Sequence, residues 1–282
     1  MRATTANKAP SGFIYLIVIF CALLFIFPVY LSLINSLNSW NAIPGLIPRG
    51  FNWENYKFAT TMIDFWLYTK NSIILCAIVV FTATFTSGLV GYAFARIQVP
   101  GRNFLFLLVL STLMVPGIIT QIPTYILFHK LHLLNSFLPW LIWGIGGGVG
   151  NGSAYFVFFY RQFFSTIPKE LEEAARIDGC SIFRTYWSIF LPLSLPVVAT
   201  VAIITFQWNW SDNFTPFLFM SQEHYNLATA LGSIGYFVAD TKLIIQPVSV
   251  AAGLMFILPV LLTFFIGQRF IVEGIVTTGI KG

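Results

Sequence analysis

Charge is scarce in this chain. Asp, Glu, Lys and Arg together make up 9% of its 282 residues, whereas a soluble domain carries about 25% because its surface must be solvated. That shortfall excludes a soluble globular domain, since most of the surface must face something other than water. Cysteine is also rare. Cys21, Cys76 and Cys180 show no paired spacing, which excludes a disulfide framework and a Cys-based metal motif; they read as small packing residues. The histidines, His129, His132 and His224, lack helical ligand spacing and stand near no carboxylate cluster, so no metal centre is expected. There is no Ser nucleophile elbow and no G-x-x-x-x-G-K-[ST] phosphate loop. The Gly-rich run at residues 144–152 has no Lys to reach a phosphate and reads as close helix packing through small residues.

Apolar side chains fill the space that charge leaves. Hydrophobic residues make up 57% of the chain, with 30 Phe and 8 Trp. Six stretches contain no Asp, Glu, Lys or Arg: residues 13–37, 71–95, 104–128, 133–160, 185–211 and 243–268. Each can cross the roughly 30 Å hydrocarbon core, which takes about 20 helical residues. Backbone groups in lipid must be satisfied internally, and the absence of strict alternation argues against a barrel, so the runs are expected to be helices. The fold class expected is an all-α integral membrane protein with six transmembrane helices. The first stretch is too long for a signal-peptide core and no small-x-small cleavage site follows it, so it reads as a retained anchor. The shorter window at 224–239 contains Gly232 and Gly235 and reads as an outer loop helix or a partly re-entrant segment.

The basic residues orient these spans. With the N-terminus inside, Arg2, Lys8, Arg96, Arg102, Arg161, Lys169, Arg176, Arg184, Arg269 and Lys281 lie on the inner side. Arg49, Lys57, Lys70, Lys130 and Lys242 lie on the outer side. The positive-inside rule therefore puts both termini in the cytoplasm. The expected organisation is a cytoplasmic segment at 1–12, a membrane domain at 13–272 with an inner loop at 161–184, and a cytoplasmic tail at 273–282. The basic residues are dispersed, so no nucleic-acid partner is expected. All six windows lack Asp and Glu, which speaks against a proton- or sodium-coupled carrier, although a sodium site of backbone carbonyls stays open. If the chain pumps, a separate chain must hydrolyse the ATP.

The inner loop holds the densest charge, RQFFSTIPKELEEAARIDGCSIFR. It reads as a short helix. Ser165 or Thr166 can cap it, Pro168 suits its first turn, and Glu170, Glu172 and Glu173 complement the positive end of the dipole. Leu171, Ala174, Ala175 and Asp178 follow the spacing of one helix face, and Gly179 offers a left-handed stop. An acid-rich, small-faced helix suits docking to another protein better than lying on lipid, where Lys and Arg opposite large apolar residues are the rule.

These residues carry a resemblance. Glu173-Ala174-Ala175, Gly179, Ile189 and Leu191-Pro192 reproduce the EAA motif of ABC importer permeases at every spaced position. Gly91-Tyr-Ala-Phe-Ala-Arg96, Asn71-Ser72, Trp208 with Asp212-Asn213-Phe214, and the ending Thr278-Gly279-Ile280-Lys281-Gly282 are similar to the maltose-type, MalG-like permeases. Where that family usually ends with Ala-Val, this chain has Ile280.

The resemblance implies a permease subunit in a bacterial cytoplasmic (inner) membrane, importing a sugar or oligosaccharide. The segment around Glu170, Glu173, Ala174, Ala175, Asp178 and Gly179 would be a coupling helix, docking on an ATPase between the fourth and fifth spans. Thr278, Gly279 and Lys281 would lie at the ATPase interface. The implied partners are a second, MalF-like permease subunit, two ATPase subunits that carry the ATP and Mg, and an extracytoplasmic substrate-binding protein. This chain would bind no cofactor and catalyse no reaction. The outer loop at 212–246 is a candidate for touching the binding protein, or it merely caps the helices. Trp208, Asn209 and Asn213 are candidate substrate-path residues, with an interfacial anchor as the other reading of Trp208. A permease for another small solute and an ion-coupled carrier are the alternatives.

Overall fold

The computed structural model describes residues 11–146, 153–237 and 243–279. In chain order its helices are α1 (Ser11–Ser36), α2 (Glu54–Thr61), α3 (Phe65–Arg96), α4 (Arg102–Ser111), α5 (Gly117–Lys130), α6 (Leu138–Gly146) and α7 (Ser153–Thr166). They continue with α8 (Glu170–Ile177), α9 (Ile182–Thr185), α10 (Leu191–Leu193), α11 (Leu195–Trp210), α12 (Phe214–Phe219), α13 (Leu227–Ser233) and α14 (Gln246–Gly279). Among the described residues the extended pairing is a single antiparallel bridge, Phe237 to Ile244. The all-helical expectation holds.

Among the described residues three helices are long and apolar enough to cross a membrane unbroken, in α1, α3 and α14. The third and fifth expected spans are bent pairs instead of straight helices. α4 with its following turn meets α5 at 95°, and the α9–α10 stretch meets α11 at 79°. Proline explains both. Pro116 lacks an N–H and holds Val115 extended at ψ 116°, a position helices seldom pass through. Pro192 and Pro196 flank the second bend at Ser194, and just before it the backbone widens into a π-turn at Tyr186–Phe190. The fourth expected span corresponds to α6 and α7, whose junction at 147–152 lies outside the described residues. The first 10 residues of the expected N-terminal segment lie outside them too.

The residues form two compact units, one of Met1–Phe65 with Gly235–Phe256, the other of Trp66–Ile234 with Ile257–Gly282. In the first, Asn55 on α2 is the tie. Its amide donates to the carbonyls of Ser36 and Asn38, and its Oδ1 accepts from the Trp40 indole. The Tyr236 hydroxyl donates to the Ala59 carbonyl at 2.7 Å, and burial pushes that phenol's pKa up.

Among the described residues of the second unit two cores stand out. One joins Tyr92 of α3 to Phe156, Tyr160 and Phe164 of α7, Tyr186 and Phe190 of the π-turn, and Val197 and Val201 of α11. Tyr92 meets the rings of Phe190 and Tyr186 at 4.9 and 5.2 Å, edge-on or tilted geometries that aromatic quadrupoles favour. Glycine makes this approach possible. A Cβ at Gly91 would lie 2.5 Å from Cβ of Tyr160 and 3.1 Å from the Arg161 backbone nitrogen. The other core packs Leu75, Val79 and Ala83 of α3 against Phe128, Trp140 and Phe219. Gly144, from the Gly-rich run, sits where a Cβ would collide with Thr82, and its carbonyl accepts from Thr86 Oγ1. That part of the run packs closely, as small residues allow.

Candidate functional site

The acid-rich loop folds as the short helix expected, but its start differs: Lys169 is the cap residue, so Pro168 lies before the first turn and not in it. Glu170, Glu172 and Glu173 fill the first turn of α8, where carboxylates offset the positive helix end. Neither Ser165 nor Thr166 caps it. Their hydroxyls donate backwards to the Arg161 and Phe163 carbonyls, so they end α7 instead. Lys169 takes the cap position without a side-chain bond. At the other end Gly179 has φ +76°. Its N–H reaches the Arg176 carbonyl, and that of Cys180 reaches Ala175. This pair of bonds is the Schellman arrangement, which satisfies carbonyls the helix would leave bare.

The face predicted from spacing is divided. Ala175 is buried at 4% exposure, turned into the second unit. Leu171, Ala174 and Asp178 are exposed, as are Glu170, Glu173 and Gly179. Ile177, at 86%, is the most exposed apolar side chain of the helix. α8 thus presents carboxylates and one unpartnered isoleucine to whatever approaches, on a seat made by Ala175 and Glu172.

Arg96 builds that seat. It is the last residue of α3, and its side chain is 5% exposed. Nη2 donates to the carbonyls of Phe164 and Ile167 at the end of α7, and Nη1 stands 3.8 Å from Glu172 Oε2. The guanidinium also lies 4.8 Å from the centroid of the Phe190 ring, a cation–π distance. One side chain thus joins α3, α7, α8 and the π-turn. A cleft of about 220 Å³ opens beside it, lined by Ala95, Gln98, Lys169, Glu173 and Arg176 together with the pair. On α7 the Arg161 guanidinium lies 3.9 Å over the Phe106 ring.

At the opposite end of α3, Asn71 and Ser72 secure a loop. The Asn71 amide donates to the carbonyls of Glu223 and Tyr225, and Ser72 Oγ accepts the buried Leu227 N–H at 2.8 Å. Asn226 caps α13 through the Thr229 N–H and donates to the Asp212 carbonyl. Asp212 in turn accepts the N–H groups of Phe214 and Thr215 and opens α12. The window at 224–239 therefore contains a loop helix, α13.

The substrate-path candidates are not brought together on one surface. Trp208 is 46% exposed and stacks on Phe156 at 5.4 Å. Asn209 is buried, its amide donating to the Thr205 carbonyl of its own helix. Asn213 is exposed, and its carbonyl accepts from Thr229 Oγ1. Of the C-terminal candidates, Thr278 and Gly279 close the backbone of α14, while Lys281 lies outside the described residues.

Reading the sequence missed two roles. Glu172 looked like one more dipole acid, although it stands three residues before the buried Ala175 and so shares its side of the helix. Arg96 looked like one more basic residue at an inner end. A single Arg closing a long uncharged run was the available signal, because a cation there must find carbonyls or a carboxylate.

Residues 87–275 match the family described as binding-protein-dependent transport system inner membrane component. The arabinooligosaccharides transport system permease protein AraQ of Halalkalibacterium halodurans is 32% identical over 237 residues, which cover 83% of this chain and 81% of that relative. AmyC of Thermoanaerobacterium thermosulfurigenes, a probable starch degradation products transport system permease protein, is 29% identical over 92% of this chain and 93% of its own. The sn-glycerol-3-phosphate transport system permease protein UgpE of Yersinia pestis is 30% identical, with 94% and 95% covered. A crystallised bacterial ABC transporter involved in import of the acidic polysaccharide alginate superposes with a TM-score of 0.78 at 20% identity. The match covers 96% of this chain and all of that one, and it shows a shared fold.

Proposed function

The chain belongs to the family of binding-protein-dependent transport system inner membrane components, and from that premise we propose that it forms part of the path by which a sugar or oligosaccharide enters a bacterium. The observation that carries the mechanism is α8, acidic and exposed outward while Ala175 and the Arg96–Glu172 pair hold it inward. ATP and Mg would be bound by two separate ATPase subunits, one of them seated on Glu170, Glu173, Ala174, Ile177 and Asp178. A push on α8 would reach α3 through Arg96 and the π-turn through Phe190. For such a push to favour one state, the ATPase must contact α8 differently in its open and closed forms.

The rest of the assembly follows the same reading. Six spans cross the bacterial inner membrane with both termini in the cytoplasm. α6 and α7 form the fourth span, and each bent pair forms one. A second, MalF-like permease subunit completes the pathway, and a substrate-binding protein delivers solute on the outer face near the loop at 212–246, of which 238–242 lie outside the described residues. The end of α14 and Lys281 would meet the ATPases. Trp208 and Asn213 keep exposed groups that could meet solute, whereas the Asn209 amide is engaged within its own helix.

Co-purification with the candidate ATPase tests the mechanism. Wild type should retain it, while Glu173→Lys, which reverses charge on the exposed face, and Gly179→Asp should release it. A folded wild-type chain that recruits no ATPase alongside its membrane partner would overturn the reading. The substrate class is tested by uptake of labelled arabino- and malto-oligosaccharides against glycerol 3-phosphate. The phosphorylated solute is the second reading, favoured by the likeness to UgpE.

A further inference from the structure

The Tyr160 side chain lies along α3 on two glycines one turn apart. A Cβ at Gly91 would stand 2.5 Å from Tyr160 Cβ, and one at Gly88 would stand 3.6 Å from Cζ, the carbon that bears its hydroxyl. Tyr160 is fully buried, and its hydroxyl has no hydrogen-bond partner among the described residues. Such a group is costly, and native cores seldom keep one without a reason. A second phenol reaches the same point. The Tyr186 hydroxyl lies 2.8 Å from the place a Gly88 Cβ would take, so it is glycine that lets it rest against α3. A phenol both donates and accepts, yet these two are not bonded.

Tyr186 opens the π-turn. Its carbonyl accepts the Leu191 N–H, five residues on instead of four, and π-turns gather at functional sites. At the far end of that turn the centroid of the Phe190 ring lies 4.8 Å from the Arg96 guanidinium, which pairs with Glu172 of α8. A shift of α8 therefore has a packed route to the Tyr186 hydroxyl. We propose that Tyr160 and Tyr186 form a latch, unbonded in this arrangement and joined hydroxyl to hydroxyl when ATP-driven movement of α8 displaces the π-turn. The inference rests on α8 being the ATPase seat. A contact made in one state alone favours that state. The unmet Tyr160 hydroxyl thus penalises the nucleotide-free arrangement, and its bond to Tyr186 stabilises the ATP-bound one. A pair that only held the core together would be bonded already.

Vanadate trapping tests this on the complete transporter, with its partner permease, ATPase subunits and binding protein, in proteoliposomes. The readout is the ATP concentration that half-traps the wild type, Tyr160→Phe, Tyr186→Phe and the double variant. Each single change should raise it about two- to tenfold, the worth of one net hydrogen bond. The double variant should need no more ATP than the worse single one, because both changes remove the same bond. Thermal unfolding without nucleotide gives a second measurement. Tyr160→Phe should not lower the midpoint, since it removes a hydroxyl that has nothing to bond. With the wild type trapped normally, a lowered midpoint, an unchanged ATP requirement or additive effects would each overturn the latch while the α8 seat stands. Ser87, whose buried Oγ also lacks a partner among the described residues, is the competing acceptor. If Ser87→Ala rather than Tyr186→Phe cancels the effect of Tyr160→Phe, the bond goes elsewhere and the latch fails. If the wild type binds no ATPase and cannot be trapped, the α8 reading falls and takes the latch with it.

Discussion

Arg96 and Glu172 face each other at 3.8 Å across the junction of α3 and α8, but they do not depend on each other equally. Arg96 is also held by two main-chain carbonyls and the Phe190 ring, whereas the Glu172 side chain is 24% exposed and partly solvated. Substitutions should show the asymmetry. Arg96→Ala leaves two main-chain carbonyls without their donor and should cost about 1–3 kcal/mol for each that stays unmet. Glu172→Gln leaves the guanidinium on its carbonyls and should cost about 1 kcal/mol or less. Arg96→Lys keeps the charge but loses the fork that reaches both carbonyls and should fall between them. Thermal unfolding in detergent ranks the three. If Glu172→Gln proved as damaging as Arg96→Ala, the ion pair to α8 rather than the carbonyl contacts to the end of α7 would dominate what Arg96 contributes.

Two helix glycines make a contrasting pair. At Gly91 a methyl would press on Tyr160 Cβ and on backbone of α7, neither of which can swing away. Gly91→Ala should cost about 1–3 kcal/mol, as overpacking does, and Gly91→Val should cost more. At Gly253 in α14 a Cβ would meet nothing within 4 Å. There Gly253→Ala should be neutral or stabilising by up to about 1 kcal/mol, because alanine loses less backbone freedom in a helix. The same unfolding assay reads both, and a loss at Gly253 equal to that at Gly91 would refute the packing account.

Much of this architecture was legible because lipid makes strong demands on sequence. Uncharged runs place α1, α3 and α14 to within a few residues at most boundaries. The acid-rich first turn and Gly179 place α8 and its end. The bends were not read, although Pro116, Pro192 and Pro196 were visible, because counting charges finds runs without testing whether a run stays straight. The division of the α8 face was missed for another reason. Spacing tells which side chains share a side, but only the position of α3 and α7 decides which side is buried, and Arg96 draws in Glu172 with Ala175. Nor could sequence show that Asn71 and Ser72 grip a loop more than 150 residues away.

That grip gives a local prediction. Ser72→Ala leaves the buried Leu227 N–H without its acceptor, an unmet group that costs about 1–3 kcal/mol. Asn71→Ala frees the Glu223 and Tyr225 carbonyls, which lie nearer the surface and can find water. Amide exchange should quicken across residues 226–231 in both variants, and more in Ser72→Ala, while α8 is unaffected. Unchanged exchange in Ser72→Ala would mean that Asn226 and Asp212 alone hold the loop.

Gly179 separates shape from charge in α8. Its φ of +76° penalises any side chain, yet a Cβ there meets nothing within 4 Å, so the penalty should be backbone strain alone. Gly179→Ala should therefore cost about 1–2 kcal/mol. Gly179→Asn should cost less, because Asn tolerates the left-handed region, and Gly179→Val more. The loss should appear as faster exchange of the Gly179 and Cys180 amides, whose bonds to Arg176 and Ala175 close the helix. Glu173→Lys should leave those amides protected while still releasing the ATPase, since Glu173 is exposed and outside the closing bonds. If Glu173→Lys also unprotected them, its effect on docking would be structural, and the acidic face would lose its standing as the contact surface.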